Sequence, residues 1–234
     1  MIFDSKNVYL FQTGNHNSLI LNEVNRFFDT DNTILIRFKP NLEKCKENIN
    51  LGVDHAGSLL AMNGKHIGIF YKLNDSREQV SFEWWEKDDT FKYIEIDYEK
   101  PEKPQYFDVI LQRSNNKFTL TVNNKSTSLE VGELSEDYTN SLLWLGAATK
   151  FSEEHSCPFY GDIEKVHITK EKLNQSEIAL FFDDYNEFVE EVSKKEEAKT
   201  LFTTSFTKTT YFKIMDESDN GNHPILYKDE WLET

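Results

Sequence analysis

The 234 residues carry 41 acidic against 26 basic side chains, a formal net charge of −15. A nucleic-acid backbone or an anionic membrane surface would repel such a chain, which argues against either as a partner. Hydrophobic residues make up 38%, with 18 Phe, 10 Tyr and 4 Trp, enough for the core of one all-β domain. No run is long and apolar enough to span a bilayer. The N-terminal MIFDSKNVYLF has an acid at Asp4 and no basic segment leading into an unbroken apolar stretch, so it does not read as a secretory signal. We therefore expect a cytosolic protein or a module of a longer chain, with no nucleic-acid partner and no membrane insertion. Cys45 and Cys157 are far apart and lack metal-type spacing. Two buried thiols is the simpler expectation, and a single disulfide the other.

Strand signals come first at residues 8–11, 18–21 and 33–38, the last a β-branched run, TILIRF, ended by Pro40. Residues 41–56 are charged and polar and read as a loop carrying Cys45. Four strands follow closely, at 58–62, 66–73, 79–86 and 91–98. The turn signals between them are Asn63-Gly64, Asn74-Asp75-Ser76 and Lys87-Asp88-Asp89. Residues 106–113 and 117–122 read as a hairpin about Ser114-Asn115-Asn116, and Asn123-Asn124-Lys125 leads into a strand at 126–131. LLWL, from Leu142, is a strand stopped by Gly146. After a polar loop, Phe159, Gly161, Ile163, Val166 and Ile168 alternate with polar residues. The slip between Ile163 and Val166 predicts a bulge. Strands this dense indicate an antiparallel sandwich rather than βαβ units.

The pattern changes at Asn174. Asn174 and Glu177 have the spacing of an N-cap and the acid that caps back. Ile178, Phe181, Phe182, Tyr185, Phe188, Val189 and Val192 then share one stripe at helical spacing. This predicts an amphipathic helix over 174–199 whose stripe covers the sandwich. The alternative is a subunit interface of a homo-oligomer through residues 178–192. Residues 200–234 return to strand and turn character.

From about Asn17 to Phe182, three stretches carry a family resemblance: SLILNEVNRFFDTDNTILIRFKP, FDVILQRSNNKFTLTVNN, and LLWLGAATKF followed by FYGDIEKVHITKEKLNQSEIALFF. Together they resemble the laminin-G-like, concanavalin A-like lectin/glucanase superfamily. The resemblance implies an all-β, two-sheet antiparallel jelly roll over residues 1–173, closed by the helix (174–199) and a C-terminal tail (200–234). Members of the superfamily often bind glycans and sometimes hydrolyse them. Asp162 stands where secreted laminin-G domains usually carry a cysteine.

Three constellations could carry chemistry. Glu95, Asp97 and Glu99 alternate with Ile96 and Tyr98, so a strand projects all three carboxylates from one face. The Glu-x-Asp-x-Glu pattern resembles that of the family 16 glycoside hydrolases. That likeness implies Glu95 as nucleophile, Asp97 as assisting residue and Glu99 as acid/base. A retaining pair needs a separation of about 5 Å, whereas strand positions i and i+4 lie about 13 Å apart at ~3.3 Å per residue. Solvated strand carboxylates are the simpler reading. In QVSFEWWE, Val80, Phe82 and Trp84 share the core face, and Ser81, Glu83 and Trp85 the other. There the Trp85 indole could stack on a sugar ring while Glu83 accepts hydroxyl hydrogens, with Tyr93 and Asp97 beside them on the next strand. The competing reading is Trp85 covered by the helix or tail. Asp216, Ser218, Asn220 and Gly221 have the alternating oxygens and glycine of a calcium loop, but Tyr227 stands at the twelfth position, so a polar hairpin turn competes.

The six histidines show no paired metal spacing, and His167, alternating with Val166 and Ile168, reads as a surface strand residue. No phosphate loop or serine elbow is present. Cys157 lies two residues from His155 but lacks the setting of a thiol nucleophile. The expectation is a non-catalytic, lectin-like carbohydrate-binding module whose partner is a glycan, with calcium as the possible cofactor. The alternatives are a family-16-like hydrolase and a structural or oligomerising module.

Overall fold

Alternation of apolar and polar side chains becomes two antiparallel sheets. The computed structural model describes residues 11–13, 18–21, 27–50, 57–62, 67–74, 76–99, 103–135, 143–146, 159–195, 200–205 and 225–227. The first sheet has the order β1 (Phe11–Thr13), β12 (Gly161–Thr169), β3 (Asn32–Pro40), β8 (Phe107–Ser114), β9 (Lys117–Val122) and β10 (Lys125–Glu130). A further strand, β13 (Thr200–Ser205), also pairs with β12. The second sheet runs β14 (Ile225–Tyr227), β2 (Ser18–Leu21), β11 (Leu143–Leu145), β4 (Gly57–Met62), β5 (Ile67–Leu73), β6 (Arg77–Trp85) and β7 (Phe91–Glu99). The C-terminal tail therefore contributes a strand to each sheet.

The inner faces interdigitate. Ile34, Ile36 and Phe38 of β3, Phe107, Val109 and Leu111 of β8, and Phe118, Leu120 and Val122 of β9 are all fully buried. Opposite them stand Ile69 and Tyr71 of β5 with Val80, Phe82 and Trp84 of β6, equally buried. Phe118 sits edge-on to Phe82 at 4.7 Å between centroids and 5.2 Å from the Trp84 ring. One polar pair lies inside this core, where the Tyr71 hydroxyl donates to Glu78 Oε1 at 2.5 Å. Burial first, and then this bond, raise the Tyr71 pKa and keep its proton on.

The expected bulge is present. Against β3, β12 pairs Ile163 with Phe38 and then Lys165 with Arg37, leaving Glu164 extra. The insertion returns Val166 and Ile168 to the face of Ile163, which two-residue alternation alone would not do.

Three expectations change. Residues 42–50, expected as loop, form α1 (Leu42–Asn50). Its Cys45 is buried in the core, with the thiol donating to the Tyr160 carbonyl at 3.2 Å. Cys157, the other half of the disulfide alternative, lies outside the described residues. The single helix is in fact two, α2 (Gln175–Asp183) and α3 (Tyr185–Ser193). The capping box forms as read: the Asn174 side chain accepts from Glu177 N, and Glu177 caps back to Asn174 N. The break comes at Asp184, whose non-helical backbone and side chain, accepting from Glu187 N, start a second helix.

Both helices lie on the outer face of the first sheet. Ile178, Phe181, Tyr185, Phe188 and Val192 pack there with Leu35 of β3, Leu173 and, partly buried, Ile110 of β8. The stripe is thus used within the chain, on the sandwich. The third change concerns His167, which is not at the surface. It is 0% exposed beneath these helices, 4.8 Å from the Phe188 ring and perpendicular to it. Neither ring nitrogen has a hydrogen-bond partner among the described residues. Burial, and secondarily the Lys195 charge, depress its pKa to about 3.

Candidate functional site

The hairpin β6–β7 builds the outward surface of the second sheet at its edge. Glu86 N donates to Thr90 O, Asp88 accepts from Thr90 N, and Asp89 takes positive φ to close the turn. That turn fixes the pairing: Trp85 with Phe91, Glu83 with Tyr93, Ser81 with Glu95, Gln79 with Asp97 and Arg77 with Glu99. Directly opposed residues share a face, so all ten project outward. Lys72 of β5, opposite Gln79, joins them.

One end of this surface is aromatic. The half-buried Trp85 ring lies 5.2 Å from Phe91, and Phe91 lies 6.0 Å from Tyr93. Phe91 is 41% and Tyr93 51% exposed. The rest is ionic. Lys72 Nζ sits 2.8 Å from Glu83, 3.8 Å from Glu95 and 5.7 Å from the Tyr93 ring centroid. Glu83, 3% exposed, also accepts from the Ser81 hydroxyl at 2.9 Å. Asp97 accepts from Gln79 Nε2 at 2.5 Å and lies 3.5 Å from Arg77.

Alternation therefore put Trp85, Glu83, Tyr93 and Asp97 on one face, and the fold brings them together on two neighbouring strands. Their settings differ. Tyr93 reaches solvent and Asp97 is half-buried, Trp85 packs partly against the core, and Glu83 is buried in its ion pair. The middle of the outward surface is closed as well, since Phe70 and Ser81 are buried. What remains accessible is a strip along β7. Phe91, Lys72 and Gln79, which sequence reasoning passed over, complete it. Counting back across the Lys87–Asp89 turn from Trp85 would have found Phe91.

Glu95, Asp97 and Glu99 share this strip, but the β6–β7 register runs unbroken from Arg77 to Trp85. No bulge shortens the ~13 Å between strand positions i and i+4, so the strand does not draw Glu95 and Glu99 into the ~5 Å pair a retaining mechanism needs. Among the described residues no group of three or more His, Cys, Asp or Glu side chains is placed to hold a metal ion. Asp216, Ser218 and Asn220 lie outside them. No helix among the described residues is long and apolar enough to cross a membrane.

No protein-family model and no curated protein sequence matches the chain. Among solved structures, it is similar to a candidate carbohydrate-binding protein of Bacteroides ovatus ATCC 8483, at 12% identity and a TM-score of 0.52. That match covers 92% of this chain and 57% of the other, so the chain spans little more than half of that relative. A heptameric SAP-like pentraxin from Limulus polyphemus matches at 14% identity and a TM-score of 0.48, covering 73% of this chain and 78% of that one. Mouse laminin α1 domains LG4-5 match at 14% identity and a TM-score of 0.43, covering 68% and 40%. Two seven-stranded antiparallel sheets, packed face to face with a helical layer on one of them, give this chain a jelly-roll sandwich fold similar to that of the Bacteroides ovatus protein.

Proposed function

We propose that the chain is a non-catalytic carbohydrate-binding module. The observation that carries this reading is the exposed aromatic row Phe91–Tyr93, backed by Trp85 and continued along the same strand by Glu95 and Asp97. Aromatic rings offer the apolar face of a pyranose a rigid platform, and carboxylates beside them accept its hydroxyl hydrogens. Tyr93 and Asp97 are the contact residues. Trp85 supports Phe91 from behind, and Glu83 holds Lys72 in place instead of touching the sugar. The fold likeness to the Bacteroides ovatus protein supports the reading at the level of fold alone.

A glycan array probed with the purified chain, with calcium and with a chelator, tests this. The expected result is a set of related glycans bound by the wild type and weakened for Tyr93→Ala. An array without hits in both conditions would overturn it.

A further inference from the structure

We infer that the β7 strip takes a neutral, linear oligosaccharide and discriminates against acidic glycans; the inference rests on the carbohydrate-binding reading above. Its first support is charge. The accessible strip presents three carboxylates, Glu95, Asp97 and Glu99, against Lys72 and Arg77, with the Lys125 ammonium at the Asp97 carbonyl; Glu83 is buried in its pair with Lys72. The cations are engaged. Lys72 lies between Glu83 at 2.8 Å and Glu95 at 3.8 Å, and Arg77 is 3.5 Å from Asp97. A uronate or sulfate on the ligand would compete with these carboxylates for the cations, and would meet the remaining carboxylates and a chain of net charge −15.

The second support is shape. The centre of the sheet face is closed at Phe70, Ser81 and Glu83, so the ligand lies along the edge strand and not across the sheet. From Phe91 to Glu99 the outward positions run about 26 Å at ~3.3 Å per residue. A single sugar covers only part of that row. An extended chain covers it all, with one ring face on Phe91 and Tyr93 and the hydroxyls of later units turned to Glu95, Asp97 and Glu99. Neutral hydroxyls donate to ionised carboxylates, which makes these the stronger, charge-assisted class of hydrogen bond.

Calorimetry with neutral β-1,4- and β-1,3-gluco-oligosaccharides, from di- to hexasaccharide, and with oligouronates of matching lengths separates the outcomes. We expect affinity for the neutral series to rise beyond the trisaccharide. The oligouronates should bind at least about tenfold more weakly at low salt, with the gap closing as salt screens the strip. Glu99→Gln should narrow that gap. Oligouronates binding as tightly as their neutral counterparts, or affinity flat beyond the disaccharide, would overturn this inference and leave glycan recognition standing. Failure of both series to bind would overturn this inference, while the glycan array alone decides the carbohydrate-binding reading.

Discussion

The sandwich has two outer faces, built by the same alternation and finished in opposite ways. On the first sheet the outward residues include Leu35, Ile110 and His167, and helices α2 and α3 close over them with Phe181, Tyr185 and Phe188. On the second sheet the outward residues of β5, β6 and β7 include Lys72, which pairs with Glu83 and Glu95, and Arg77, which pairs with Asp97. An apolar outward row must be covered by another element, whereas a row of paired charges can stand at the surface. In the proposed reading the first face is scaffold, and the β7 edge of the second, where Phe91 and Tyr93 are exposed among the charges, meets the ligand.

The contrast can be broken at the covered face. Phe188 is fully buried between α3 and His167. Phe188→Ala should cost about 3–5 kcal/mol of stability in chemical denaturation and leave glycan binding unchanged under native conditions. On the other face, Lys72→Met removes the ammonium beside the buried Glu83 carboxylate. Because Lys72 is itself about a fifth exposed, we expect a loss of about 2–3 kcal/mol, below the range for a fully buried pair. Adding Glu83→Gln should recover most of it.

His167 sharpens the difference through pH. Its folded pKa, about 3, lies below the ordinary imidazole value of 6.5, so the unfolded chain binds the proton first. Stability is then complete above pH 6.5 and falls as pH drops from 6.5 towards 3. The expected loss at pH 5 is about 2 kcal/mol, from ~1.36 kcal/mol per pH unit. His167→Leu removes the two unpartnered nitrogens and should flatten denaturation midpoints across that window. A slope unchanged in this variant would place the acid sensitivity elsewhere.

Much of this was legible in the residues. Alternation marked the strands, and the Ile163–Val166 slip marked the bulge. Asn174 and Glu177 marked the start of α2. The direction of His167 was legible too, since it points away from Val166 and Ile168, but its burial was not. Whether an outward residue meets water depends on what packs over the sheet, and that is tertiary information. The same limit hid the closure around Glu83, whose partner Lys72 sits on another strand. Two misses did leave local signals. Leu42, Cys45 and Ile49 have helical spacing within the charged 41–56 stretch, and Asp184 with Glu187 repeats the capping pattern that marked α2.

The most direct test compares two exposed tyrosines. Tyr93 lies on the β7 strip, and Tyr106 lies beside Lys39 of the first sheet, 40% exposed. Calorimetry with the best glycan from the array should show Tyr93→Ala weakening the Kd about 2- to 12-fold, equivalent to ~0.5–1.5 kcal/mol for a lost aromatic contact. Tyr106→Ala should leave it unchanged, and both variants should keep the wild-type unfolding midpoint. Equal effects of the two substitutions, or an unchanged Kd for Tyr93→Ala, would contradict the assignment of recognition to the second face.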